Sequence, residues 1–255
     1  MIPVFPVLFE RAVAERLHVI AFSFGDPSPW VSRAKDCGAT VICQVQSIEA
    51  AAQAVAAGTD ILVVQGNEAG GHTGRSNLLP LLLRVLQDYP NLPVLAAGGM
   101  ASGRGLAAAL AAGADGVWLG TALLATHECV DVPDSYKQMI VAARSTDTVF
   151  TKVFDILDEA AFGIPPWPEH IAGRAIANDI IKEWHGNEDA LRAKMREVLP
   201  LYHQSLTQRD VAKTAVWAGE SVDFVHNIRS VSEVIEGICT EAEQLLRSRQ
   251  GSQRS

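Results

Sequence analysis

Aromatic side chains make up only 6% of the 255 residues, and there are only four cysteines. Cys37, Cys43, Cys129 and Cys239 share no CxxC or metal-ligand spacing, which argues against a zinc site or a disulfide framework and predicts four reduced, structural thiols. HExxH pairs and histidine–carboxylate clusters are missing too: His18, His127, His170, His185, His203 and His226 are scattered, so no metal is expected. Basic charge is in deficit, with 21 Lys and Arg against 29 Asp and Glu and a net charge of −8. Nucleic acid and anionic membranes both require a basic face, so neither partner is expected. Arg104, Asp115 and Glu128 cut the most apolar third of the chain into pieces far shorter than the run of about 18 residues that would cross a bilayer. The start, Met1-Ile2-Pro3-Val4-Phe5-Pro6, has no basic n-region or small-residue cleavage site, and a cytoplasmic location is the default expectation.

What is present is a 48% hydrophobic chain long enough for one large or two small domains. Short apolar, β-branched runs alternate with Ala-rich stretches of helical period over the first 155 residues, the pattern of βαβ units around a parallel sheet. Six strands are predicted: His18 to Phe24, Ala39 to Gln44, Asp60 to Gln65, Pro93 to Ala97, Gly116 to Leu119, and Thr148 to Phe154. Each is a nearly continuous apolar run, so both faces of the sheet should be covered. Ser47 and Gly58 bracket a helix over Ile48 to Ala57, and Ser102, Gly103 and Gly113 bracket another over Arg104 to Ala112. Beyond Pro165-Pro166-Trp167-Pro168 no strand of comparable strength follows. The expected organisation is therefore a barrel-like domain over 1–164, a helical extension over 165–247 and a disordered tail over 248–255.

In parallel α/β proteins functional groups collect at the C-terminal ends of strands. Here Gln65 runs into Gly66-Asn67-Glu68-Ala69-Gly70-Gly71-His72-Thr73-Gly74, a flexible, ligand-sized loop that carries one imidazole. The next strand ends in Gly98-Gly99-Met100 and the one after it in Gly120-Thr121, each opening a helix. Glycines at a strand end before a helix N-terminus present free amides and the positive end of the helix dipole, an arrangement suited to phosphate. The same glycines taken singly are ordinary turn chemistry. Two such ends on consecutive strands beside a Gly-Gly-His loop favour the phosphate reading.

The three runs Gln65 to Gly74, Ala96 to Gly105 and Gly113 to Thr121, with Ser23-Phe24-Gly25 and Gln44-Val45-Gln46-Ser47 before them, resemble the nitronate monooxygenase (2-nitropropane dioxygenase) family over roughly residues 5 to 245. The resemblance implies an α/β fold, a TIM-type (β/α)8 barrel that binds FMN and oxidises nitronates or nitroalkanes to carbonyl compounds and nitrite with O2. It implies that Gly71, Gly98, Gly99, Gly120 and Thr121 hold the phosphate and ribityl chain, and that Gln44 and Gln65 face the flavin. His72 would be the catalytic base. Some relatives carry Lys and Asp where Gln44 and Gln65 stand here.

Nothing in Met1 to Leu17 matches the first two βα units of that family, so the six strands are expected to be strands three to eight of an incomplete barrel. Such a sheet would expose two edge strands, which leaves covering by the helical extension or by a second copy, a homo-oligomer, open. Two other readings stay open: an FMN-dependent enoyl-acyl-carrier-protein reductase, which shares the Glu68 to His72 loop, and a non-catalytic chain that keeps the phosphate loops alone.

Overall fold

The apolar runs pair edge to edge. In the computed structural model, which describes residues 6–251, α1 (Pro6–Ala14) leads into β1 (Val19–Ser23), and α2 (Ser28–Asp36) follows. Then come β2 (Thr40–Val45), α3 (Ile48–Ala57), β3 (Ile61–Gln65), the short β4 (Gly71–Thr73) and α4 (Leu78–Asp88). After β5 (Val94–Ala97), α5 (Gly103–Ala112) and β6 (Gly116–Trp118), the chain passes through α6 (Thr121–Leu124) and α7 (Asp134–Ala142). Five strands form one parallel sheet in the order β1-β2-β3-β5-β6. Alternate side chains serve two faces, as the period of a strand requires. Val41, Cys43, Leu62, Val64, Val94 and Ala96 belong to the main core with the helices, while Ile42, Val63 and Ala97 form a small cluster on the opposite face with Ile61 and Leu95. At the sheet's two edges, Val19 is 50% and Trp118 39% exposed.

The helix ends follow local chemistry. Ser47 accepts from the Ala50 amide and Ser102 from the Gly105 amide, and Gly58 and Gly113 close their helices at φ of 92° and 103°. These are the boundaries that the Ser and Gly punctuation predicts, to within one residue.

The sixth expected strand is a correction. Only Thr148–Thr151 is extended, as β7, and Val153 and Phe154 already begin α8 (Val153–Phe162). β7 does not join the parallel sheet but pairs antiparallel with β8 (Ala172–Ile176), which pairs antiparallel with β4. The parallel sheet thus holds five strands, not six, of the eight in a closed barrel. β8 also overturns the expectation of a purely helical region after residue 165. Its sequence, Ala-Gly-Arg-Ala-Ile, has weak strand propensity. Gly173 is there because a Cβ would lie 2.2 Å from Trp217.

Four helices follow, α9 (Asp179–Trp184), α10 (Glu188–Ala193), α11 (Met195–Gln208) and α12 (Val231–Gly251), with an irregular connection through Trp217 between the last two. Helix continues through Ser248 to Gly251, where a disordered tail was expected; residues 252–255 lie outside the described residues. None of the described helices is long and apolar enough to cross a membrane.

α12 lies against α5, and at their contact a Cβ on Gly103 would stand 2.4 Å from Glu241 Cβ and 2.6 Å from the Ala242 nitrogen. Backbone cannot yield as a flexible side-chain tip can, so Gly103→Ala should lower stability by about 1–3 kcal/mol, read as a shift of the urea unfolding midpoint.

Candidate functional site

The strand ends converge on one cavity. Gln44 closes β2 beside Val45, Gln65 ends β3, Gly98 and Gly99 follow β5, and Gly120 and Thr121 follow β6. These six, with Gly71 and His72 of β4, all line a cleft of about 350 Å³ at the C-terminal end of the sheet, within the range of small-molecule sites. Met100, Trp118, Trp217 and Ser221 are also part of its wall.

The glycines shape the floor. Gly71, Gly98 and Gly99 have φ of 74°, 96° and 69°, a region costly for any side chain. No atom lies within 4 Å of where a Cβ would stand on Gly71 or Gly120, so both face open space. Among the described residues, the Gly99 and Gly120 amides donate to no other backbone group.

Two groups at the expected anion sites have partners within the fold. The N-terminus of α5 is already occupied: Ser102 caps it, and the Gly103 amide donates to Glu241 Oε2 at 2.7 Å. A carboxylate of the chain itself stands where the helix dipole would favour a phosphate. The Thr121 hydroxyl oxygen accepts from the Gly219 amide at 2.9 Å, so this buried side chain ties α6 to the chain after Trp217.

The Gly-rich loop is tied to its surroundings by pairing and hydrogen bonds. Its centre is β4, where His72 sits opposite Gly173 of β8. Gln65 Nε2 donates to the His72 carbonyl at 3.3 Å and Gln65 Oε1 accepts from Gln46 Nε2 at 2.9 Å. The buried Arg174 guanidinium donates through Nε to the Asn67 carbonyl at 2.8 Å and meets Glu220 Oε1 at 3.3 Å. Gln44 is more loosely held, donating to Ser23 Oγ at 3.1 Å.

The His72 ring stacks on Trp167, with centroids 4.2 Å apart and planes at 22°, and leans on Trp217 at 5.3 Å. Its Nε2 is 2.6 Å from Asp155 Oδ1, in the first turn of α8. Trp167, Trp217, Asp155 and Arg174 are the site residues that the sequence did not single out. No motif marks them, since each lies 80 or more positions from His72 or Asn67 along the chain and is brought in by β8, α8 and the following turns.

Comparison with known proteins places these features in a family. The nitronate monooxygenase family model matches residues 7–241. A Staphylococcus saprophyticus protein described as a probable nitronate monooxygenase is 30% identical over 251 residues, covering 93% of this chain and 66% of the relative. Among solved structures, FabK from Thermotoga maritima superposes with a TM-score of 0.80 at 30% identity, covering 98% of this chain and 76% of that one. A nitroalkane oxidase from Streptomyces ansochromogenes superposes with a TM-score of 0.76 at 26% identity, covering 94% and 68%. The chain spans between 38% and 66% of the length of the first curated relatives it matches. The architecture is of the TIM-barrel type shared with these structures.

One turn beyond Asp155, Asp158 accepts from the Tyr202 hydroxyl at 2.8 Å. Burial pushes the Asp158 carboxyl above its ordinary range, the Tyr202 hydrogen bond pulls it back, and the Asp155 carboxylate adds to the rise. A carboxyl raised in the folded state favours folding at pH below its unfolded value, and that contribution is lost as pH rises through the folded value. Asp158→Asn keeps an acceptor for Tyr202 and cannot ionise. Its unfolding midpoint should exceed the wild type's at about pH 8, and the gap should narrow on acidification to about pH 4; a gap independent of pH would remove burial as the cause.

Proposed function

The chain belongs to the nitronate monooxygenase family, and from that premise we propose that it oxidises nitronates and nitroalkanes to carbonyl compounds and nitrite with O2, using FMN bound at the C-terminal end of the sheet. The observation that carries this reading is the convergence of Gln44, Gln65, Gly71, His72, Gly98, Gly99, Gly120 and Thr121, drawn from separate motifs, on one cavity.

The residues present fit the cofactor. The Gly99 and Gly120 amides are free to donate to a phosphate, and the empty space above Gly71 and Gly120 is room that any side chain would fill. Gln44, which lines the cavity, would supply a polar group toward the ring or ribityl chain. FMN, when bound, supplies the electron acceptance from the nitronate and the reaction with O2.

The protein supplies the proton chemistry and the orientation. A nitroalkane carries an acidic C–H beside its nitro group. The neutral His72 imidazole takes that proton, the C–H electron pair stays on the substrate as nitronate, and the ring becomes imidazolium. Trp167 stacks on the ring and Trp217 leans on it, and these contacts hold the imidazole's orientation. A substrate that arrives as nitronate needs no base, and His72 then only positions it.

An FMN-type enoyl reductase is the second reading, favoured by the shared Glu68 to His72 loop and by the FabK superposition. Anaerobic addition of NADH or of a nitronate to the flavin-loaded chain separates the two. Bleaching by nitronate and not by NADH is expected; the reverse would sink the nitronate reading.

Two variants test the assignments. His72→Asn should lower turnover of neutral nitroalkane by about 100-fold and of nitronate far less, and equal losses would remove His72 as the base. Gly120→Val places its side chain where the backbone now opens onto the cavity, so the folded variant should lose the flavin absorbance that the wild type carries. A colourless wild type would count instead for the non-catalytic reading.

A further inference from the structure

We infer that Asp155 is a positioning residue for His72, one that fixes its Nε2 proton and so makes Nδ1 the nitrogen that takes the substrate proton. The inference rests on the reading of His72 as the base. Four observations converge on it.

The contact itself is short, 2.6 Å from His72 Nε2 to Asp155 Oδ1, with Asp155 only 8% exposed and His72 22%. An ionised carboxylate can only accept, so the proton in this contact sits on Nε2, and a neutral ring then has its lone pair on Nδ1. Second, among the described residues no hydrogen-bond partner of Nδ1 is found, while the ring lines the cavity. Third, the ring cannot turn to exchange its nitrogens freely: Trp167 stacks on it, Trp217 leans on it, and Gln65 grips its own carbonyl.

The fourth observation concerns Asp155 alone. Its Oδ2 is a buried side-chain oxygen without a hydrogen-bond partner among the described residues. A buried carboxylate half satisfied is a poor way to stabilise a fold, because the unpaired oxygen keeps its desolvation penalty. It is a suitable counter-charge for a ring that becomes cationic during turnover. When Nδ1 takes the proton, the C–H electron pair remains on the substrate, and the imidazolium that forms already faces the carboxylate through Nε2–H. Such a group should matter to chemistry more than to stability.

The test reads the ring directly. The full chain with ¹⁵N-labelled histidine is examined by two-bond ¹H–¹⁵N correlation at about pH 8, where a neutral imidazole reports its tautomer. Comparison with His72→Asn identifies the His72 signals among those of seven histidines. The expected result is a ring protonated at Nε2 in the wild type and a mixture of tautomers in Asp155→Ala. Protonation at Nδ1 in the wild type, or an Asp155→Ala ring unchanged from it, would overturn the inference.

Two further measurements separate positioning from a structural role. Asp155→Ala should keep or raise the thermal midpoint while slowing neutral nitroalkane turnover by at least about tenfold and sparing nitronate, with partial rescue in Asp155→Glu. A lowered midpoint with equal loss on both substrates would make Asp155 structural and overturn the proposal; Asp155→Asn provides the same comparison where the alanine variant does not fold. Should His72→Asn lose nothing on nitroalkane, the base reading falls, and the ring spectrum alone decides whether Asp155 orients His72.

Discussion

The contact on which the site depends is the backbone approach between the Gly-rich segment after β3 and the turn after Trp217. A Cβ on Gly70 would lie 2.5 Å from the Gly219 nitrogen, and one on Gly219 would lie 2.4 Å from the Glu68 carbonyl oxygen. Only two glycines allow the strands of chain to come so close. The approach is closed by the Glu220 amide donating to the Glu68 carbonyl and the Gly219 amide donating to Thr121. It brings Trp217 to His72 and sets the small antiparallel sheet over the mouth of the parallel one. Without it, the glycines of β5 and β6 and the imidazole of β4 would still exist, but not as walls of one cavity.

What the sequence makes legible is what local physics decides. The five parallel strands are short apolar runs, and the helix ends at Ser47, Gly58, Ser102 and Gly113 are set by caps that act over three or four residues. Gln44, Gln65, Gly98, Gly99, Gly120 and Thr121 were legible because each sits at or just after the end of such a strand, and Gly71 and His72 because they lie in the Gly-rich run that follows β3. Thr148 to Phe154 has the composition of a barrel strand, yet its partner is decided by where β8 arrives, and β8 itself carries Gly173 and Arg174 for reasons of contact with Trp217, Asn67 and Glu220. Asp155 directly follows what reads as a strand and belongs to no motif, and Trp167 reads as part of a proline-rich break. Their meaning lies in distances that no spacing encodes.

The same limit explains the anion contacts. A helix N-terminus after Gly-Gly reads as a vacant phosphate cradle from sequence, because Glu241 lies 138 positions away from Gly103. The chain supplies its own anion there and leaves the free amides one step earlier, at Gly99 and across at Gly120. Which backbone donors are taken up by charge pairing within the fold, and which are left over, is thus a tertiary decision.

The pairing of β4 with β8 has a kinetic consequence. Gly71 and Arg174 are about 100 residues apart, and loop closure over such a span comes after local helices and adjacent βα units have formed. Sequence separation alone therefore favours an order in which the imidazole reaches its place after the parallel sheet has formed. The cavity is then completed only as the small sheet docks, because Gly71, His72 and Trp217 reach its wall together with the approach of Gly70 to Gly219.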